Sequence, residues 1–282
     1  MVHNERVDFG FFTSDDGDTL TPTPVARSAW SPEQIHGVAV SGAMARAMER
    51  SFTRDDLRPA RWTVDLFRPG LFESATTEVE VLREGPRIAL IEVRFVQAGE
   101  TKARATAVWL KATENPAGQT WVSPDIPAPP PLEATGGPLT GPNIPWFESA
   151  EPWSQDFGDH ANAGRHSTFQ FGVPIVAGEL HTPFQSAAAV ADSTSLVVNW
   201  SDKGIEWINT DISLSLSRLP RTQEVGLRAV EWTAHDGIAV GTATMFDREG
   251  IIGTSTVTCL TNAKRTVDLS DRFDEDGPAV NV

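Results

Sequence analysis

Tyrosine is missing altogether from the 282 residues, although nine tryptophans and fourteen phenylalanines are present. The imbalance predicts strong tryptophan fluorescence and nothing about function. Cysteine is nearly missing too. Cys259 stands alone, which excludes an intramolecular disulfide, argues against a cysteine-built zinc site and fits a reducing cytoplasm. Basic residues are scarce, with 23 Lys and Arg against 38 Asp and Glu, a formal net charge of −15 and a pI of about 4.8. So acidic a chain lacks the broad phosphate attraction that dominates nucleic-acid binding, and an anionic ligand needs a local basic patch. No apolar run reaches the roughly 20 residues that span a bilayer. The opening MVHNERVDFGFF has neither the basic head nor the apolar stretch of a secretory signal. A soluble, cytoplasmic protein without membrane insertion is expected. GxSxG, Walker A and GxGxxG are absent, which removes the commonest serine-hydrolase and nucleotide-binding readings. His160 and His166 lack the carboxylates and spacing of a metal site. Asp15, Asp16 and Asp18 around Gly17 lack the rest of a twelve-residue calcium loop and read as a turn. No metal is expected.

What is present is an ordinary globular mix, 40% hydrophobic and 22% charged, long enough for two domains or one double unit. Residues 125–146, DIPAPPPLEATGGPLTGPNIPW, carry prolines and glycines that block helix and central strand alike. A first half over 1–124, a connector over 125–150, a second half over 151–264 and an acidic, loosely held tail over 265–282 follow from this pattern.

In the first half Ser31-Pro32-Glu33-Gln34 reads as a helix start with Ser31 as N-cap, and a second start is possible at His36-Gly37. The following GVAVSGAMARAMERSF is rich in small residues and reads as a helix wrapped by other structure. Strand-like runs cover 61–68, 75–82, 87–97 and 101–110. The second half repeats the order, with an Ala-rich helix over 183–192 and strands over 205–218, 225–233, 238–247 and 250–261. Arg218 follows Arg68 by 150 residues and Gly250 follows Gly99 by 151, so the chain reads as an internal duplication of one α+β unit.

A helix lying along an antiparallel sheet, twice in one chain, resembles the double hotdog. Trp30, His36-Gly37, VDLFRP (64–69) and EVLREG (80–85) resemble the first hotdog of type II acyl-CoA thioesterases. Ala191-Asp192 and INTDISLSLSR (208–218) resemble their second hotdog. The resemblance implies hydrolysis of acyl-CoA to free acid and CoA, with CoA as part of the substrate and no separate cofactor. It further implies a homodimer or larger assembly, built on an apolar outer sheet face. A non-catalytic acyl-CoA-binding relative and a hotdog enoyl-CoA hydratase are the alternatives.

In that family a carboxylate, a Thr or Asn, and a Gln position the attacking water. By position these roles fall on Asp192, Asn209 and Thr258, the last departing from the family's Gln. The helix start at His36, Gly37 and Val38 is implied as the oxyanion and substrate-binding element. Each residue also has a plain structural reading. Asp192 can be a helix-end carboxylate bonding nearby backbone, Asn209 a polar edge-strand residue, Thr258 a good strand former and His36 a surface histidine. Lys203, Arg221, Lys264 and Arg265 are candidates for the CoA phosphates. Cys259, on an alternating strand, reads as a buried small residue rather than a nucleophile.

Overall fold

The computed structural model describes residues 8–135 and 145–267; residues 136–144 of the connector and 268–282 of the acidic tail lie outside the described residues. Helix α1 (Gly37–Ser51) is followed by strands β1 (Leu57–Asp65), β2 (Thr76–Glu84), β3 (Ile88–Gln97) and β4 (Glu100–Lys111). The second half opens with β5 (Trp146–Glu148) and β6 (Ser167–Phe171), then helix α2 (Pro183–Val190). A 3-10 turn (Ala191–Ser193) leads from α2 into helix α3 (Thr194–Asn199). Five strands complete it: β7 (Trp207–Asn209), β8 (Asp211–Leu216), β9 (Glu224–His235), β10 (Ile238–Asp247) and β11 (Gly250–Thr261).

These strands form one antiparallel sheet in the order β2-β3-β4-β1-β8-β11-β10-β9-β6-β5, with β7 paired to β11. The expected double hotdog is therefore present, each half curling its sheet around its own helix. Alternation makes this possible. On β4, Ala103, Ala105, Ala107 and Trp109 face inward and are buried, and the three alanines leave room for a helix to lie close. α1 answers with small residues of its own, and every residue from Val38 to Met48 is buried.

The two halves meet at β1 and β8, where Asp65, Val64, Thr63, Trp62 and Arg61 pair with Asp211, Ile212, Ser213, Leu214 and Ser215. Beneath this seam the helices touch directly. Ser41 Oγ donates to the Ala188 carbonyl at 2.6 Å and accepts from Trp62 Nε1 at 3.0 Å. A Cβ on Gly42 would stand 3.2 Å from Ala189 Cβ of α2 and 2.4 Å from Ile175 Cδ1, so glycine there lets the two helices pack closely without displacing either neighbour.

Five expectations need correction. Ser31 starts a turn rather than a helix, because Gln34 and Ile35 pair as a short strand with Leu71 and Gly70 and the helix begins only after them. The run over 205–218 is broken at Thr210, between β7 and β8. The connector is not featureless to its end, since β5 pairs with β6, and the tail is held at its start, where Val267 exchanges backbone hydrogen bonds with Ile205. The outer sheet face is not uniformly apolar. Glu92, Thr106, Thr63, Ser213, Thr256, Thr242 and Glu231 stand opposite one another across seven strands. Exposed Ile238, Val240 and Leu260 lie at one end of that face. Among the described residues no helix is long and apolar enough to cross a membrane.

Candidate active site

The start of α1 is fixed before any ligand is considered. His36 is its N-cap: Nδ1 accepts from the Ala39 N–H at 3.1 Å, and Nε2 donates to the Val25 carbonyl at 3.0 Å. Burial pushes its pKa down to about 4, so the ring is neutral, with one nitrogen accepting and the other donating. This corrects the surface reading, and it leaves His36 no spare donor for a substrate. Its work is to aim the helix start. Among the described residues the Gly37 N–H finds no acceptor, as the first turn of a helix permits.

Asp192 comes from the other half and points at this helix start. A Cβ on Gly37 would lie 2.4 Å from Asp192 Oδ1 and 2.6 Å from its Cγ, which leaves no space for any side chain at position 37. The carboxylate accepts from Asn209 Nδ2 at 2.9 Å. Burial pushes the Asp192 pKa up to about 6, while the bonds from Asn209 and the Val38 N–H pull the other way. Asn209 also offers Nδ2 to the Asp211 carbonyl at 3.4 Å; its Oδ1 has no donor among the described residues. The break at Thr210 sets this geometry. Thr210 N–H bonds the Thr258 carbonyl, and Asp211 Oδ1 accepts the Thr258 N–H at 2.9 Å. A side chain thus takes the place of a ladder bond and re-aims β7.

Thr258 is the candidate that the structure leaves out. Its neighbours Val257 and Cys259 are buried on the helix side, so alternation turns the Thr258 side chain to the opposite face; it reaches the site only through its backbone. Asp192, Asn209, His36, Gly37 and Val38 are instead brought together on the wall of one cavity of about 420 Å³. Ile35, Val40, Leu66, Leu196 and Ile205 supply apolar wall.

Arg265 lines the cavity, joined by Arg68 and Lys102. Arg221 is paired with Glu249 at 2.7 Å, and neither Lys203 nor Lys264 lines it. Ser195, which sequence reasoning passed over, also lines it. The signal available was its place three residues beyond Asp192, on the same helical face.

The acyl-CoA thioesterase N-terminal domain family matches residues 26–110, and the acyl-CoA thioesterase C-terminal domain family matches residues 123–261. The chain belongs to the acyl-CoA thioesterase family. It is accordingly a hydrolase of acyl-CoA thioesters. Among solved structures, the tesB protein of Mycobacterium avium subs paratuberculosis superposes with a TM-score of 0.62 at 16% identity, covering 89% of this chain and 95% of that one. An acyl-CoA thioesterase II of Mycobacterium marinum gives 0.58 at 17% identity, covering 89% and 94%. A conserved hot dog fold protein of Alicyclobacillus acidocaldarius gives 0.61 at 18%, covering 90% and 97%. At these identities the likeness establishes the thioesterase's fold. No curated protein sequence matches the chain.

Proposed function

We propose that Asp192 is the general base of thioester hydrolysis and that the α1 start is the oxyanion site. The observation that carries this reading is the Asp192 carboxylate lying against Gly37, which brings an acid of one half to the helix start of the other. A water held by Asp192 and Asn209 Oδ1 attacks the carbonyl carbon and gives its proton to Asp192. The carbonyl oxygen takes up the negative charge beside the Gly37 N–H, where the free donor and the helix dipole favour it. Collapse breaks the C–S bond, and the CoA thiolate recovers the proton from Asp192. A carboxyl near 6 serves both steps, as it is ionised at neutral pH and more acidic than an ordinary thiol near 8.5. The apolar wall supports an acyl chain, and Arg265 supports the anionic end of CoA, whereas Arg68 and Lys102 both already pair with Glu100.

No cofactor beyond the CoA of the substrate enters this reading. A cytoplasmic setting in fatty acid metabolism and a homodimer or larger assembly belong to the same proposal. The buried, solitary Cys259 supports the first. The exposed Ile238, Val240 and Leu260 support the second. A hydratase would need a histidine free to act beside Asp192, and His36, the histidine on the cavity wall, has both nitrogens engaged.

Release of free CoA from a panel of short to long acyl-CoA esters tests the reaction. Asp192→Asn should lower kcat by about 10³-fold or more, within the range of a lost general base, while acyl-CoA affinity stays within a few fold. Water addition to enoyl-CoA with its thioester intact, or acyl-CoA binding without CoA release, would sink the proposal.

A further inference from the structure

We propose that Ser195 is the third group holding the nucleophilic water, the task that the side chain at position 258 does not reach; the inference rests on the hydrolysis reading above. Asp192, Ser195 and Asn199 are spaced i, i+3 and i+7 along the continuous 3-10 turn and α3, so they share one face. That face meets β7 and β11. Asp192 bonds Asn209, and Asn199 Nδ2 donates to Cys259 Sγ at 3.3 Å and to Ser195 Oγ at 3.3 Å. Asn209 and Cys259 stand directly opposite each other in the ladder, with side chains on the same face about 5 Å apart at Cβ. Ser195 is thus framed by Asp192 on its own helix and by the Asn209–Cys259 pair across from it, and it opens onto the cavity.

The hydrogen-bond polarity favours a donor role. Trp232 Nε1 donates to Asn199 Oδ1 at 3.0 Å, which fixes the Asn199 amide with its nitrogen toward Ser195. Ser195 Oγ therefore accepts from Asn199, and its own proton is left to give. That hydroxyl hydrogen-bonds Cys259 Sγ, but sulfur is a weak acceptor, so the proton can be redirected to a water in the cavity. Thr210, another hydroxyl on the wall, donates to the Thr258 carbonyl at 3.1 Å. A water that donates to Asp192 and to Asn209 Oδ1 and accepts from Ser195 has one lone pair left. That lone pair faces the thioester carbon. The chain thereby replaces a strand glutamine with a helix serine one turn beyond the base.

The test is steady-state kinetics on an acyl-CoA that the wild type hydrolyses, with Asp192→Asn as the reference for lost chemistry. Ser195→Ala should lower kcat about a hundredfold, the low end of what one preorganised donor supplies. KM should stay within about twofold and the pH inflection of Asp192 should stay in place, whereas a merely structural role would move stability and KM first. Ser195→Thr, which keeps the hydroxyl, should recover much of the rate and serves as the folded comparison. A Ser195→Ala kcat within threefold of wild type, or a loss confined to KM, overturns the Ser195 assignment and leaves hydrolysis standing. A wild type that releases no CoA overturns both.

Discussion

The duplicated halves carry two helix starts with opposite fates. α1 begins at Gly37, with an N–H free to donate and a half-buried carboxylate of the other half set against its Cα. α2 begins at Pro183, which has no N–H to offer. Its start is closed by Glu49 from the far end of α1, whose Oε2 accepts from Thr182 Oγ1 at 2.6 Å and from Gln185 Nε2 at 2.9 Å. The next residue, Phe184, packs edge-to-face on Trp62 at 5.9 Å. One fold repeated thus offers two helix starts, and the residue at the first helical position decides which keeps a free N–H. Glycine keeps α1 open. Proline and a capping glutamate spend the other on holding the halves together.

The sharpest way to break this contrast is at Gly37. Gly37→Ala puts a methyl inside the Asp192 carboxylate, so kcat should fall by about 10²-fold or more while the protein stays folded by circular dichroism. Near-normal turnover would show that the two groups do not act at one place. At Glu49 the expected effect is on stability alone. Glu49→Ala strands the Thr182 and Gln185 donors and should cost about 1–3 kcal/mol in urea unfolding, with kcat for CoA release unchanged. Loss of activity without loss of stability would assign the second helix start a catalytic part.

Acid unfolding separates the groups more finely. Asp192, raised to about 6 in the folded state, holds its proton more tightly folded than unfolded, so its contribution to stability declines as pH rises from about 4 to about 6. His36 and His181, both pushed down to about 4 by burial, act in the opposite sense. They are neutral when folded and charged when unfolded over much of the same window, so stability grows with pH there. Asp192→Asn removes the opposing slope. Its urea midpoint should therefore rise more steeply between pH 4.5 and 6 than that of the wild type, and a parallel or shallower rise would contradict the buried-carboxyl assignment. The smallest effect is expected at Thr258. Thr258→Val leaves the backbone bonds to Thr210 and Asp211 in place, so CoA release and stability should both stay near wild type, and a large loss of kcat would return its side chain to the site.

The sequence made the duplication legible because alternation and glycine turns are local properties, and they survive at Ala98-Gly99 and Glu249-Gly250 alike. It also located Asp192 and Gly37. It did not reveal that they touch, since that depends on two small-residue helices meeting at Ser41 and Ala188, a packing distance with no signature along either segment alone. Thr258 was misplaced for a related reason. Position in a motif says which strand a residue occupies, whereas the side chain's face is set by the strand's alternation, which buries Val257 and Cys259 and turns Thr258 away from the helices. The substrate-binding and surface readings of His36 both missed its cap, because nothing local announces that Val25 will supply an acceptor eleven residues away. Ser31 offered a sound capping pattern, but pairing of Gln34 and Ile35 with a distant strand overrode it.

The seam between β1 and β8 has a consequence for what the connector is for. Five cross-strand pairs and a helix contact already hold the halves in register, and the covalent link adds only effective concentration. A chain nicked in the connector should then remain whole and active. Fragments produced as separate polypeptides should be silent alone, because one carries the proposed oxyanion donor and the other the proposed base. Mixed together, they should regain turnover along a binding curve, which makes this hydrolase a two-piece switch whose output reports the meeting of its parts.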